Sequence, residues 1–234
     1  MKTWSIMKSD NGQTNKDGGN GEGCENYVHC SMLGDGMVGK TCLTLSYTQH
    51  LFTDNYTATV FDNYSVPLKV GGQEFVISLF DTAGQSDYES LRAYTYQESE
   101  VLVLCFSVCD RESFYSVINS WLPEIQRHTK RRRPMLLVGT QIDLRTPDCQ
   151  DQVTTEEGNN LAKIIGADCY IECSARNQEG LQQVFEHVVF SALKYRKKKN
   201  KIFNRIFGER TLSNKSIKQL SSLLMDNKSQ QLSC

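Results

Sequence analysis

The sequence predicts an α/β fold: a six-stranded, mostly parallel sheet with helices on both faces. Three observations predict it. Short apolar runs alternate with helical patterns from about residue 27 to residue 195. Gly71-Gly72 lies between the second and third strands and fits a tight hairpin. The remaining strands alternate with helical segments, and such crossovers produce parallel neighbours covered on both sides.

Strands are expected over 27–33, 64–70, 75–80, 101–108, 135–138 and 169–173, each a short apolar run. Helices are expected over 40–50, 90–98, 112–128, 154–165 and 181–195. Thr154 followed by Glu157 has the spacing of a capping box. Residues 1–26 are rich in Gly, Asn, Asp and Lys and read as a disordered extension. Residues 27–195 form the core domain, and 196–234 form a basic, amphipathic tail.

Composition narrows the class. With 234 residues, 39% hydrophobic and 23% charged, the chain suits one soluble core domain with extensions. A net charge of −1 offers no general field for nucleic acid, and none is expected as a partner. No apolar run approaches the roughly 20 residues that span a bilayer, and the N-terminus has no apolar signal segment. The nine cysteines include Cys30, Cys105 and Cys173 inside strand-like runs, where they read as buried thiols of a reducing compartment. Cys105 and Cys109 have near-ligand spacing, but no second pair completes a zinc site.

Between the first strand and the first helix lies Gly34-Asp35-Gly36-Met37-Val38-Gly39-Lys40-Thr41, the pattern G-x-x-x-x-G-K-[ST] of a P-loop NTPase. Glycines let the backbone wrap phosphate oxygens with its N–H groups, and the helix that follows adds its positive end. Lys40 reaches the β- and γ-phosphates in this reading, and the Thr41 hydroxyl ligates Mg²⁺. The plainer reading, a glycine-rich turn with a surface lysine, does not account for a strand before the motif and a helix after it.

Asp81-Thr82-Ala83-Gly84-Gln85 closes the third strand. Asp81 suits Mg²⁺ through a water, Gly84 can donate its N–H to a γ-phosphate, and Gln85 can orient an attacking water. Alone the segment reads equally as a polar turn. Thr140-Gln141-Ile142-Asp143 closes the fifth strand, and the Asp143 carboxylate can accept both N–H donors on the edge of guanine. Cys173-Ser174-Ala175-Arg176 closes the sixth, with backbone donors for the guanine oxygen. Each segment is weak alone; their order and their strand-end placement, where such sheets bind ligands, make the set strong.

With these residues in view the chain resembles the Ras superfamily, and within it the Rho family, close to Rac and cell-division-control members. The resemblance covers about 27–195 and rests on the motifs above, on 139–145 and 172–175, and on Thr59-Val60-Phe61-Asp62-Asn63-Tyr64. It implies a small G domain that binds GTP or GDP with Mg²⁺ and hydrolyses GTP slowly. It implies catalytic roles for Gln85, Lys40 and Thr59, and metal ligation by Thr41, by Thr59 and, through water, by Asp81. It also implies nucleotide contacts from Val38, Cys42 and Leu144, an aromatic on the base at Phe52, and a tyrosine closing over the phosphates at Tyr56. Val60 to Tyr64 match the effector stretch, and 84–96 the second switch. Rho-type exchange factors, activating proteins and effectors follow as partners, with outputs in the actin cytoskeleton, polarity or membrane traffic.

Three departures from that pattern stand out. Met37 replaces the usual alanine, and its side chain either crowds the phosphates and speeds nucleotide release or points to solvent. Gln141 stands where many relatives have lysine. Asp143 to Ser174 spans only 31 positions, so the helical insert of Rho relatives looks largely absent.

The chain closes on Gln231-Leu232-Ser233-Cys234, with cysteine last rather than fourth from last, so prenylation is not expected. Arg196, Lys197, Lys198, Lys199 and Lys201 precede Ile202, Phe203, Ile206 and Phe207, which share one helix face. That combination suits reversible attachment to an anionic membrane surface, giving a cytoplasmic protein peripheral to the plasma membrane or endomembranes. A solvated tail or a nuclear-import signal fits the basic run too. Two other functional readings stay open: a non-hydrolysing, constitutively GTP-bound interaction module, and a P-loop kinase acting on a small molecule.

Overall fold

The computed structural model describes residues 26–53, 58–146 and 151–207, with the backbone alone for 202–207. Six strands form one sheet: β1 (Tyr27–Leu33), β2 (Phe61–Val70), β3 (Gln73–Thr82), β4 (Val101–Ser107), β5 (Met135–Thr140) and β6 (Cys169–Glu172). Their spatial order is β2-β3-β1-β4-β5-β6. Only β2 and β3 pair antiparallel; the other four pairings are parallel. The hairpin turns at Gly71 (φ 57°) and Gly72 (φ 82°), the left-handed pair that a two-residue hairpin of this twist requires. The expected α/β architecture is the one observed.

The central strands are apolar throughout because both of their faces are covered. On β4, Val101, Val103 and Cys105 enter one core, while Leu102, Leu104 and Phe106 enter the other. Helices α1 (Lys40–Gln49) and α6 (Leu181–Phe207) close the first face, through Leu43, Val184, Phe185 and Val188 among others. The second face is closed by α2 (Glu89–Glu98), α3 (Arg111–Ser116), α4 (Leu122–His128) and α5 (Thr155–Ile165). Cys30, Cys105 and Cys173 are buried thiols, as their strand positions suggested. Burial pushes the Cys105 thiol up to about 12.

Strands β2 and β3 run longer than the expected 64–70 and 75–80, covering Phe61–Val70 and Gln73–Thr82, and two helices differ from expectation. The single helix over 112–128 is interrupted by a five-residue π-turn, Val117–Trp121, between α3 and α4. Pro123 lies just beyond it, and a proline inside a helix has no N–H for the usual bond to the preceding turn. The last helix does not stop at 195 but runs to Phe207. Nothing interrupts it, since no Gly or Pro occurs between Gly180 and Gly208, and lysine is a good helix former. Arg196 also pins it to the domain through Glu100 (2.5 Å from Nε to Oε2) and the Tyr27 carbonyl. No helix separates Leu144 from Thr155 among the described residues, consistent with a shortened insert. The capping box is present: the Thr154 hydroxyl accepts from the Glu157 N–H, and Glu157 accepts from the Thr154 N–H.

Candidate nucleotide site

The loop after β1 enters α1 at Gly39, which lies in the left-handed region at φ 85°. No side chain caps this helix and its first turn carries no acid, so its leading N–H groups keep their capacity for an anion. The contrast is with α3 and α5, whose first turns are capped by Asp110 and Thr154. Lys40 is buried, and its ammonium donates to the carbonyls of Gly34 (2.7 Å) and Asp35 (2.6 Å). An ammonium has three donors, so one remains. Desolvation lowers the Lys40 pKa, opposed by the charges of Asp81 and Asp35 around it.

Next to Lys40 the Thr41 and Thr59 hydroxyls lie 2.7 Å apart. Asp81 is fully buried, and neither of its carboxylate oxygens has a hydrogen-bond partner. Burial raises its pKa to about 6; the nearby Thr41 hydroxyl and the Lys40 charge hold it lower than it would otherwise be. A buried orphan carboxylate is costly unless a cation neutralises it. Oxygen donors of this kind fit Mg²⁺ on chemistry and placement alone. Gly84 lies against the loop so closely that a Cβ would come within 2.4 Å of the Gly34 carbonyl and 2.6 Å of the Gly36 nitrogen. No other residue fits there.

At the other end, the Ser174 hydroxyl donates to Asp143 Oδ1 at 2.6 Å and accepts from the Asn177 N–H at 3.0 Å. Asp143 Oδ2 lies 3.9 Å from Arg176 Nε, and the Arg176 guanidinium stacks 5.3 Å from the Phe52 ring. The Thr140 hydroxyl sits 2.5 Å from the Val38 carbonyl and 2.8 Å from that of Phe106, fixing the phosphate loop to β5. Gln141 donates to the Met37 carbonyl at 3.2 Å. The Gln141 amide therefore ties the base-side motif to the phosphate loop. Behind them, Arg145 grips Glu172 with two bonds of 2.8 and 2.9 Å and donates to the Val153 carbonyl.

These residues converge on one cavity of about 300 Å³. Gly36, Met37, Gly39, Lys40, Thr41, Cys42, Phe52, Thr59, Gly84, Thr140, Gln141, Asp143, Leu144, Ala175 and Arg176 line it. Gly34, Asp35, Val38, Asp81 and Ser174 stand one layer back, each bonded to or packed on a lining residue. Gln85 lies just beyond Gly84, with its carbonyl held by Arg92. Tyr56 lies outside the described residues. Val60 and Phe61 are exposed, and Phe61 to Tyr64 run along the edge strand β2, outside the cavity. Leu43, Leu45 and Thr53 also line the cavity and belong to no motif. The contacts made by Trp121, Arg92 and Glu124 could not be found by sequence reading, because their partners lie far away in the chain.

Met37 is 71% exposed, with φ 64°. Of the two readings of its side chain, the geometry favours the one that points to solvent.

A protein-family model described as the Ras family matches residues 29–194, from His29 in β1 to Lys194 in α6. The chain belongs to the Ras family. It is thus a small GTPase of the general kind: a guanine-nucleotide switch on a P-loop NTPase fold. Members of this family bind guanine nucleotide with Mg²⁺ and work through regulators and effectors, and the cavity lies at the strand ends where this Ras-family domain carries its motifs.

Proposed function

We propose that this Ras-family chain is a Rho-type GTP/GDP switch that hydrolyses GTP slowly and engages effectors in its GTP form. The observation that carries the chemistry is the orphaned Asp81 carboxylate beside Thr41, whose hydroxyl meets that of Thr59 at 2.7 Å, a site that calls for a cation next to a phosphate loop. The Rho assignment is supported by Thr59-Val60-Phe61-Asp62-Asn63-Tyr64, whose last five residues run from the mouth of the site onto the edge strand. In this reading Lys40 and the α1 N-terminus bind phosphate, Thr41, Thr59 and, through water, Asp81 would hold Mg²⁺, and Asp143 with Ser174 reads the base. Phe52 and Arg176 cover the base, and Gln85 orients the attacking water. The bound metal supplies charge neutralisation at the phosphates. Loss of the γ-phosphate releases Thr59 and Gly84 and loosens both switch segments.

Measurement of γ-phosphate release, alone and with a Rho-type activating protein, tests this. Slow release accelerated by that protein is expected; no release under either condition would favour the constitutively GTP-bound reading. The Asp143–Ser174 pair at the base end supports the switch over the kinase reading, and a competing small-molecule acceptor should be left unphosphorylated.

Membrane association is part of the proposal. Lys197, Lys198, Lys199 and Lys201 are exposed on α6, and each cation near an anionic leaflet contributes about 1 kcal/mol. The side chains of Ile202, Phe203, Ile206 and Phe207 lie outside the described residues. Among the described residues no helix is long and apolar enough to cross a membrane. Location on the cytoplasmic face of a membrane follows from this proposal and is tested by vesicle binding.

A further inference from the structure

The fold uses an irregular turn to place Trp121, a residue that no nucleotide motif includes. A π-turn widens the helix by one residue and re-aims the side chains at its end. Trp121 closes that turn, is buried, and donates its indole N–H to Asp35 Oδ1 at 2.7 Å. Over the ring lies Arg92, with its guanidinium carbon 4.9 Å from the centroid.

Arg92 is only 1% exposed and directs four N–H bonds. Nε and Nη2 donate to the two carboxylate oxygens of Glu124, at 2.8 and 2.9 Å. Nη1 donates to the carbonyls of Ala83 (2.7 Å) and Gln85 (2.6 Å). Those carbonyls flank Gly84, the glycine pressed against the phosphate loop; a Cβ on it would come within 2.5 Å of the Asp35 carbonyl carbon. The contacts therefore close a ring: Asp35 to Trp121, Trp121 to Arg92, Arg92 to both neighbours of Gly84, and Gly84 back to Asp35. Tyr96 donates its hydroxyl to Glu124 and completes the anchor.

A buried ion pair is a weak device for stability, since apolar replacements often serve as well. Its use is direction. A planar fork with fixed donors can hold two carbonyls and a carboxylate at once.

We propose that Trp121, Arg92 and Glu124 are positioning residues that lock Gly84 and Gln85 against the phosphate loop, so that recognition of a γ-phosphate depends on them and recognition of GDP does not. The proposal rests on the guanine-nucleotide reading of the site. Its consequence is selective. A residue that merely supports the fold weakens both nucleotides alike.

The test measures binding of GDP and of a non-hydrolysable GTP analogue to the full chain, unaltered and as Trp121→Phe. Phenylalanine keeps the ring beneath Arg92 and removes the indole N–H. Analogue affinity is expected to fall about tenfold, the scale of losing a hydrogen bond to a charged acceptor, while GDP affinity stays unchanged within error. Arg92→Lys keeps the cation, loses the fork, and is expected to give the same selective loss should Trp121→Phe not fold. Equal loss for both nucleotides, or no loss for either, overturns the proposal. Failure of the unaltered chain to bind either nucleotide overturns the functional reading instead, and the proposal with it.

Discussion

Ser174 and Asp143 stand 31 residues apart in the chain, yet the serine hydroxyl donates to the aspartate at 2.6 Å. That bond leaves Asp143 Oδ2 as the oxygen with no close hydrogen bond, facing Arg176 from 3.9 Å. In the proposed site Ser174 fixes the plane of the carboxylate that reads the base. Ser174→Ala removes a hydrogen bond to a charged acceptor, worth about 1.5–3 kcal/mol. GDP affinity should fall by roughly 10- to 100-fold; titration with a fluorescent GDP checks it.

Gly84→Ala places a methyl group 2.4 Å from the Gly34 carbonyl. The turn over 83–85 must then move off the phosphate loop, taking the Gln85 backbone with it. Loss of a preorganised donor lowers a catalytic rate on the order of 10²-fold. Single-turnover GTP hydrolysis should show that loss, while GDP binding changes little.

Met37 occupies the left-handed region at φ 64° and points to solvent. Alanine there meets the same backbone strain, so Met37→Ala should release nucleotide at an unchanged rate. A clearly slower release from Met37→Ala would show instead that the methionine crowds the phosphates. Met37→Gly relieves the strain and should raise stability by about 1 kcal/mol, read from the denaturant midpoint.

Glu157 is held at about 2, below its ordinary 4.5, first by its hydrogen bond from Arg111 and then by the Thr154 N–H. A depressed carboxylate contributes stability that is full above its unfolded pKa and is lost as pH falls through the folded value. The destabilisation caused by Glu157→Gln should therefore be complete above about pH 4.5 and shrink toward pH 2. Urea midpoints of both proteins at several pH values check it.

The chain truncated after Arg196 should lose salt-sensitive binding to anionic vesicles. The cut is placed there because Arg196 belongs to the domain through Glu100. Binding that survives the truncation would remove the tail from the membrane proposal.

Much of the fold was legible in the sequence because it is written locally. The strand 27–33 and the helix starting at Lys40 were read at their observed starting points, since apolar runs and a glycine-rich turn are short-range signals. Thr154 with Glu157 announced a helix end for the same reason. The π-turn was not read, because its cause is a single Pro123 inside an otherwise helical pattern. The α6 extension was missed because a basic run reads as a tail unless Glu100, 96 residues away, is known to meet Arg196.

By itself the sequence determined a parallel sheet, a phosphate-binding turn and the residue types that gather at the strand ends, since spacing along a chain fixes which residues share a turn. Only the tertiary structure decided what surrounds them: that Asp81 is buried without a partner, that Gly84 touches the loop, and that Arg92, Trp121 and Glu124 tie the two together. Those relations join segments up to 86 residues apart. They depend on how helices pack over a sheet, and no local pattern of residues encodes that distance.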